Sequence, residues 1–296
     1  MAVNAASPQL ARLGIGTAKL GHGADRGPNG ARAGRSDAAA AFALAARAGV
    51  RLVDAGAGPD LAEDVFAQVM RAKTATFRAM WRTGEVIDDG EAMETVVRQR
   101  LGHYGATALH AVVVSRADSL VGPHGDALWT RLRRLKDEGL CERLGVAVEL
   151  EDQPVALARR FRPDFVQAPV SLVDQRFLQS GAVAALADLG VAVQAHAVFL
   201  RGLWLQPVND LGAGDAELGQ HLSRARRLVA EAGADPLQAA LAFALHVLPV
   251  EAALVGVASS TELKVILAAA SARAPDLDWA ALAYDPCEAK PRRSAA

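Results

Sequence analysis

Short apolar runs alternating with longer stretches of helical period constrain this chain more than anything else in it. The runs fall at Leu13–Ala18, Arg51–Ala55, Thr76–Arg82, Ala111–Ser115, Arg143–Val148, Phe165–Ala168, Ala192–His196 and Ala253–Val257. Each has strand length, and each is followed by a loop and a helical segment, the pattern of β-α units repeated on a parallel sheet. Eight evenly spaced units fit a closed (β/α)8 barrel better than an open sheet, which seldom repeats its unit so regularly. A single α/β barrel accounts for all 296 residues, so the chain reads as one domain over 1–296 with a frayed tail from about residue 290. The longest loop-like stretch is Gln206–Gly219, rich in Gly and Asp.

Several helices carry their own punctuation. Ser36 is placed to cap a helix over Asp37–Arg47, with Gly49 stopping it. Asp126 is placed to cap the helix bearing Trp129, Leu132 and Leu135, which ends near Gly139. Ser259-Ser260-Thr261-Glu262 has the form of a capping box, in which a hydroxyl and a carboxylate satisfy reciprocal amides.

Charge and composition exclude some functions. The 32 basic and 33 acidic residues nearly cancel, so no field would hold the chain on nucleic acid or an anionic membrane. No apolar run is long enough to cross a bilayer, and the N-terminus lacks the form of a secretory signal. Cys141 and Cys287 show no metal-ligand spacing, which fits a reduced, intracellular protein. The expectation is a soluble, cytoplasmic chain with no metal, no nucleic acid and no membrane.

In a barrel of this kind chemistry sits where the C-terminal ends of the strands meet the following loops. Those ends carry Asp54, Arg82, Ser115, Glu149, Gln167, His196 and the Ser259/Ser260 pair. Taken in that order, the chain resembles the aldo-keto reductase superfamily over nearly its whole length. The resemblance is clearest from Leu132-Arg133-Arg134-Leu135-Lys136-Asp137-Glu138-Gly139 into Leu144-Gly145-Val146. It continues through Asp164-Phe165-Val166-Gln167-Ala168-Pro169, Leu172-Val173-Asp174-Gln175-Arg176, Val198-Phe199-Leu200-Arg201-Gly202-Leu203 and Leu254-Val255-Gly256-Val257. The Asp-Gln-Arg and Val-Phe-Leu-x-Gly-Leu segments look like a bacterial branch often associated with surface-polysaccharide genes.

The resemblance implies an NADP-dependent carbonyl reduction in which a tyrosine donates the proton. A lysine lowers that tyrosine's pKa, an aspartate pairs with the lysine, and a histidine orients the carbonyl. Only the aspartate is matched, as Asp54. The tyrosine position falls at Gly58 or Pro59, neither of which can donate a side-chain proton. Tyr104 and Tyr284, the two tyrosines present, do not map to the catalytic end. The lysine position is Arg82, which cannot shuttle protons because its pKa exceeds about 12, and the histidine position is Ser115. Around the cofactor, the expected Ser-Asn pair reads Ala147-Val148, while Gln167 is kept. Ser259 and Ser260 could hold a phosphate at a helix N-terminus. The adenine-contacting Glu-Asn pair of many members reads Val265-Ile266, and His196 replaces the aromatic that stacks on nicotinamide.

Each of these residues has a structural reading beside the functional one. Asp54 and Arg82 are either a catalytic remnant or a structural ion pair. Gln167 is a cofactor ligand or an amide satisfying backbone, and Ser259 a helix cap that could also meet a phosphate. His196 is an acid/base candidate or a satisfied pocket histidine. His22 and His124 lie in loops on the same face, and Trp204 is the tryptophan best placed to line a pocket. Three functions remain open: a barrel that binds a small molecule at its mouth or a protein partner without reducing carbonyls; an NADP-dependent oxidoreductase using His196 as donor; and a lyase or isomerase on a sugar-like substrate. Fold alone does not choose among them.

Overall fold

Eight parallel strands pair in chain order and close: β1 (Leu13–Gly16), β2 (Leu52–Asp54), β3 (Arg78–Arg82), β4 (Leu109–Val114), β5 (Cys141–Ala147), β6 (Phe165–Pro169), β7 (Ala192–His196) and β8 (Ala252–Gly256). The seam is made by β1 on β8, with Leu13 opposite Ala253 and Gly16 opposite Gly256. The computed structural model describes residues 8–20, 34–56, 58, 60–84, 91–207 and 216–284. All eight expected strands are present, and β7 has the expected bounds. The others differ by a residue or two, as strand ends do where the last ladder bond is lost. Pro59, His22, Cys287 and the tail from residue 290 lie outside the described residues.

Helices follow the strands on the outside: α1 (Arg35–Ala48), α2 (Leu61–Arg71), α3 (Glu91–Tyr104), α4 (Gly125–Asp137), α5 (Pro154–Phe161), α6 (Ala182–Asp188), α7 (Ala216–Glu231), α8 (Pro236–Ala242) and α9 (Ser260–Ser271). The larger core lies between sheet and helices, filled by outward strand residues such as Val53, Val112, Val146 and Val166. Inside the barrel a smaller cluster of Leu52, Met80, Ala111, Val113, Phe165, Ala252 and Leu254 makes a dry floor. Phe165 reaches across that floor, and only glycine fits opposite it. A Cβ on Gly145 would stand 2.3 Å from the Phe165 ring. Two residues beyond Leu52, Met80 and Phe165 the period-two alternation aims Asp54, Arg82 and Gln167 toward the barrel mouth.

The seam is clamped at the barrel's N-terminal end by Arg12. Its guanidinium donates to the carbonyls of Leu245 at 2.5 Å, Leu248 at 3.1 Å and Val250 at 2.5 Å.

Helix ends correct part of the sequence reading. α1 starts two residues early, at Arg35 after Gly34 with no side-chain cap, so Ser36 lies inside the helix. Gly49 does stop α1, in the left-handed region at φ 88° that favours glycine. Asp126 is not a cap, because α4 begins at Gly125; its carboxylate instead accepts from Arg160 at 2.8 Å. The stretch expected as loop through Gly219 is helical from Ala216, and residues 208–215 lie outside the described set. Among the described residues no single helix is long and apolar enough to cross a membrane.

Candidate active site

Asp54 ends β2 and Arg82 ends β3, strands that pair in register, so alternation brings both side chains into the same mouth. The Arg82 Nε donates to Asp54 Oδ2 at 2.9 Å and Oδ1 at 3.2 Å, and Nη2 to Oδ2 at 2.7 Å. The Gly56 N–H adds a bond to Oδ1 at 3.2 Å. Asp54 is therefore saturated: its side chain is only 8% exposed and each oxygen is held by arginine, which keeps its proton at any ordinary pH. The sequence reading of these two residues as an ion pair matches this geometry.

The pair continues into the barrel through amides. Arg82 Nη2 also donates to Gln167 Oε1 at 2.5 Å, and Gln167 Nε2 donates to Gln194 Oε1 at 3.1 Å. Gln167 and Gln194 are register partners on β6 and β7, and both are fully buried. The chain ends without an acceptor, since Gln194 Nε2 is buried and unpartnered among the described residues. Gln194 was not singled out from sequence. The signal available was its position two residues before His196 on an otherwise apolar strand.

His196 ends β7, half-buried at the same mouth. Burial pushes its imidazole pKa down to about 4, the positive charges of Arg82 and Arg201 add to this, and Asp54 opposes them more weakly. The ring is neutral at ordinary pH. Ser115 follows β4, and its backbone N–H donates to Thr83 Oγ1 at 3.2 Å. Gly58 contributes no side chain. Glu149, after β5, accepts from Arg201 of the β7 loop at 3.0 Å, and its own pKa is raised by burial. Asp54, Arg82 and Gln167 thus form one bonded network, with His196 close enough to feel the charges of Arg82 and Asp54 and with Ser115 just beyond β4.

Other candidates fall elsewhere. Trp204 does not line a pocket; it is 1% exposed, and its indole N–H donates to Pro236 O at 2.7 Å. A buried indole needs an acceptor, and the start of α8 supplies one. His124 stands just before α4, in the connection that follows β4. Tyr104 is buried between α2 and α3 and donates to Glu63 at 2.9 Å. Tyr284 is a different matter. Its N–H donates to Val173 O, in the loop after β6, and its ring lies 5.2 Å from His221. It therefore sits on the outer rim of the catalytic end, where no tyrosine was expected. Among the described residues no group of three or more His, Cys, Asp or Glu could hold a metal.

Ser259 caps α9, its hydroxyl accepting from Glu262 N at 3.1 Å. The returning carboxylate of the expected box is displaced by one residue: Glu262 Oε2 accepts from Ala258 N at 2.6 Å. Ser260 is taken by Asp37 of α1, whose carboxylate accepts from Ser260 N at 3.1 and 3.3 Å and from its hydroxyl.

These groups do not fit a nicotinamide dinucleotide phosphate. Ala147 and Val148 offer no side-chain polar atom to a carboxamide. Gln167 already uses its oxygen on Arg82 and its nitrogen on Gln194. The leading amides at Ser260 face a carboxylate.

The profile of the Aldo/keto reductase family matches residues 12–284. No curated protein matches the chain at a significant level. Among solved structures the chain is similar to the glycerol dehydrogenase AKR11B4 from Gluconobacter oxydans, with TM-score 0.68 and 17% identity over 93% of this chain and 92% of that one. It is also similar to the holo form of the aldo-keto reductase AKR11C1 from Bacillus halodurans, with TM-score 0.67 and 16% identity over 90% of this chain and 88% of that one. At such identities the likeness is one of fold.

Proposed function

Because the chain belongs to the aldo/keto reductase family, we propose that it uses the family's barrel to bind a small molecule or a protein partner, with weak or absent carbonyl reduction. The observation that carries this reading is the fate of Asp54. Its carboxylate is consumed by the permanently charged Arg82 where a lysine would relay a proton, and among the described residues no tyrosine stands beside the pair to donate one. His196 does not replace them, because a neutral imidazole with its pKa near 4 is a poor acid at ordinary pH. The chain is then a pseudoenzyme on an oxidoreductase scaffold. Cys141, buried and free, is compatible with a cytoplasmic setting.

The test is a fluorescence titration with NADPH followed by NADPH-consumption assays on simple aldehydes. The expected result is weak or undetectable binding and turnover. Turnover at the rate of ordinary family members, lost in His196→Gln, would establish the reductase reading instead.

One observation favours a second reading. A neutral, half-buried imidazole at the mouth can accept a proton with about the basicity of a carboxylate, which still suits a lyase or isomerase acting beside a carbonyl. Solvent-deuterium incorporation into sugar-like carbonyl compounds, lost in His196→Gln, would support that chemistry. No incorporation would remove it.

A further inference from the structure

In barrels of this type the loops after the last strands and a helix amino end form the usual phosphate place, because free N–H groups and the helix dipole converge there. In this chain that place is α9, directly after β8. Most of its leading donors are already assigned. Ala258 N–H goes to Glu262 Oε2, and Glu262 N–H to Ser259 Oγ. Leu263 N–H closes the first helical turn on Ser259 O at 3.0 Å. Ser260 gives both its N–H and its hydroxyl to Asp37. Among the described residues the Ser259 and Thr261 N–H groups are left over, on either side of the Ser260 donors that Asp37 already holds, so no phosphate reaches them without meeting that carboxylate.

We propose that Asp37 is the chain's own occupant of the phosphate place on α9, so that a dinucleotide carrying a 2′-phosphate is refused. Asp37 lies in the first turn of α1, so its one carboxylate serves the amino ends of two helices at once. An incoming phosphate must either displace it from Ser260 or sit against it and Glu262, both negatively charged. A ribose with a free 2′-hydroxyl meets no such repulsion, since a carboxylate accepts from a hydroxyl. The proposal is independent of the missing proton donor: a chain that reduces aldehydes normally with NADH would overturn the proposed function and leave this inference standing.

The experiment compares wild type, Asp37→Asn and Asp37→Ala by calorimetric titration with NADP+ and NAD+, and by melting temperature with and without inorganic phosphate. Asp37→Asn keeps a hydrogen-bonding group between α1 and α9 while removing the charge, which separates electrostatics from lost packing. Wild type is expected to bind NADP+ no more tightly than NAD+, and to show no phosphate-dependent rise in melting temperature. Both variants are expected to shift the ratio toward NADP+ by tenfold or more, and Asp37→Ala to melt higher with phosphate present. A wild-type preference for NADP+ of tenfold or more would overturn the proposal. So would variants whose phosphate response does not differ from wild type, whether or not either nucleotide binds.

Discussion

Replacing Arg82 with Met would strand a carboxylate in a nearly dry mouth. Asp54 would keep one protein donor, the Gly56 N–H at 3.2 Å, and lose three contacts to the guanidinium. Breaking a fully buried pair by removing one partner costs about 3–5 kcal/mol. Arg82 is 24% exposed, so water reaches the vacated space and the lower end, about 3 kcal/mol, is expected. At about 2–4 °C per kcal/mol for a domain of this size, that is a fall of about 6–12 °C in melting temperature. The loss should shrink as pH falls, because protonation removes the stranded charge. The double change Asp54→Asn with Arg82→Met removes both charges but still deprives Gln167 Oε1 of its donor. It should therefore lie about 1 kcal/mol below wild type, well above the Arg82→Met variant alone. Urea unfolding of wild type, both single variants and the double completes the cycle. Losses that add to within about 0.5 kcal/mol would refute the reasoning, since coupled neighbours do not add.

Proton nuclear resonance should find the His196 ring neutral at pH 7 and titrating near 4. Its folded pKa lies below the unfolded value, so the unfolded chain binds the extra proton between about pH 6.5 and 4. Stability should accordingly fall as the pH is lowered through that window, and His196→Phe should flatten the slope; an unchanged slope would contradict the assignment. Gly145→Ala should cost about 1–3 kcal/mol in denaturant unfolding through overpacking against Phe165, and Phe165→Leu should relieve much of it. If the loss persists in the double variant, the ring is not what excludes the methyl group.

The barrel was legible because its signal is local and repeated: each strand announces itself within a few residues, and the order of the motifs does the rest. Asp54 and Arg82 could be paired from sequence because they end neighbouring strands. The contacts that escaped sequence reading join distant residues or depend on competition between neighbours. Asp37 and Ser260 are 223 positions apart, and nothing around either residue advertises the other. Ser36 and Asp126 have the right type for caps, yet α1 and α4 begin one residue earlier than each. Trp204 in a loop resembled a pocket wall until Pro236 O supplied its acceptor. Tyr284 reaches the rim only because the C-terminal segment packs back on the loop after β6, a path that carries no local sequence signature.

The seam between β1 and β8 also bears on how the barrel forms. Arg12 holds it at one end, bonding carbonyls more than 230 positions away, and Asp37 ties α1 to α9 at the other. Every other strand pair is made by neighbours in the sequence and closes a modest loop, whereas this one encloses nearly the entire chain. Loop closure of that length is paid late on a folding path, after the local β-α units have assembled. Weakening Arg12 should then hasten unfolding and leave the refolding rate almost unchanged, because a contact absent from the transition state acts only on the exit side of the barrier.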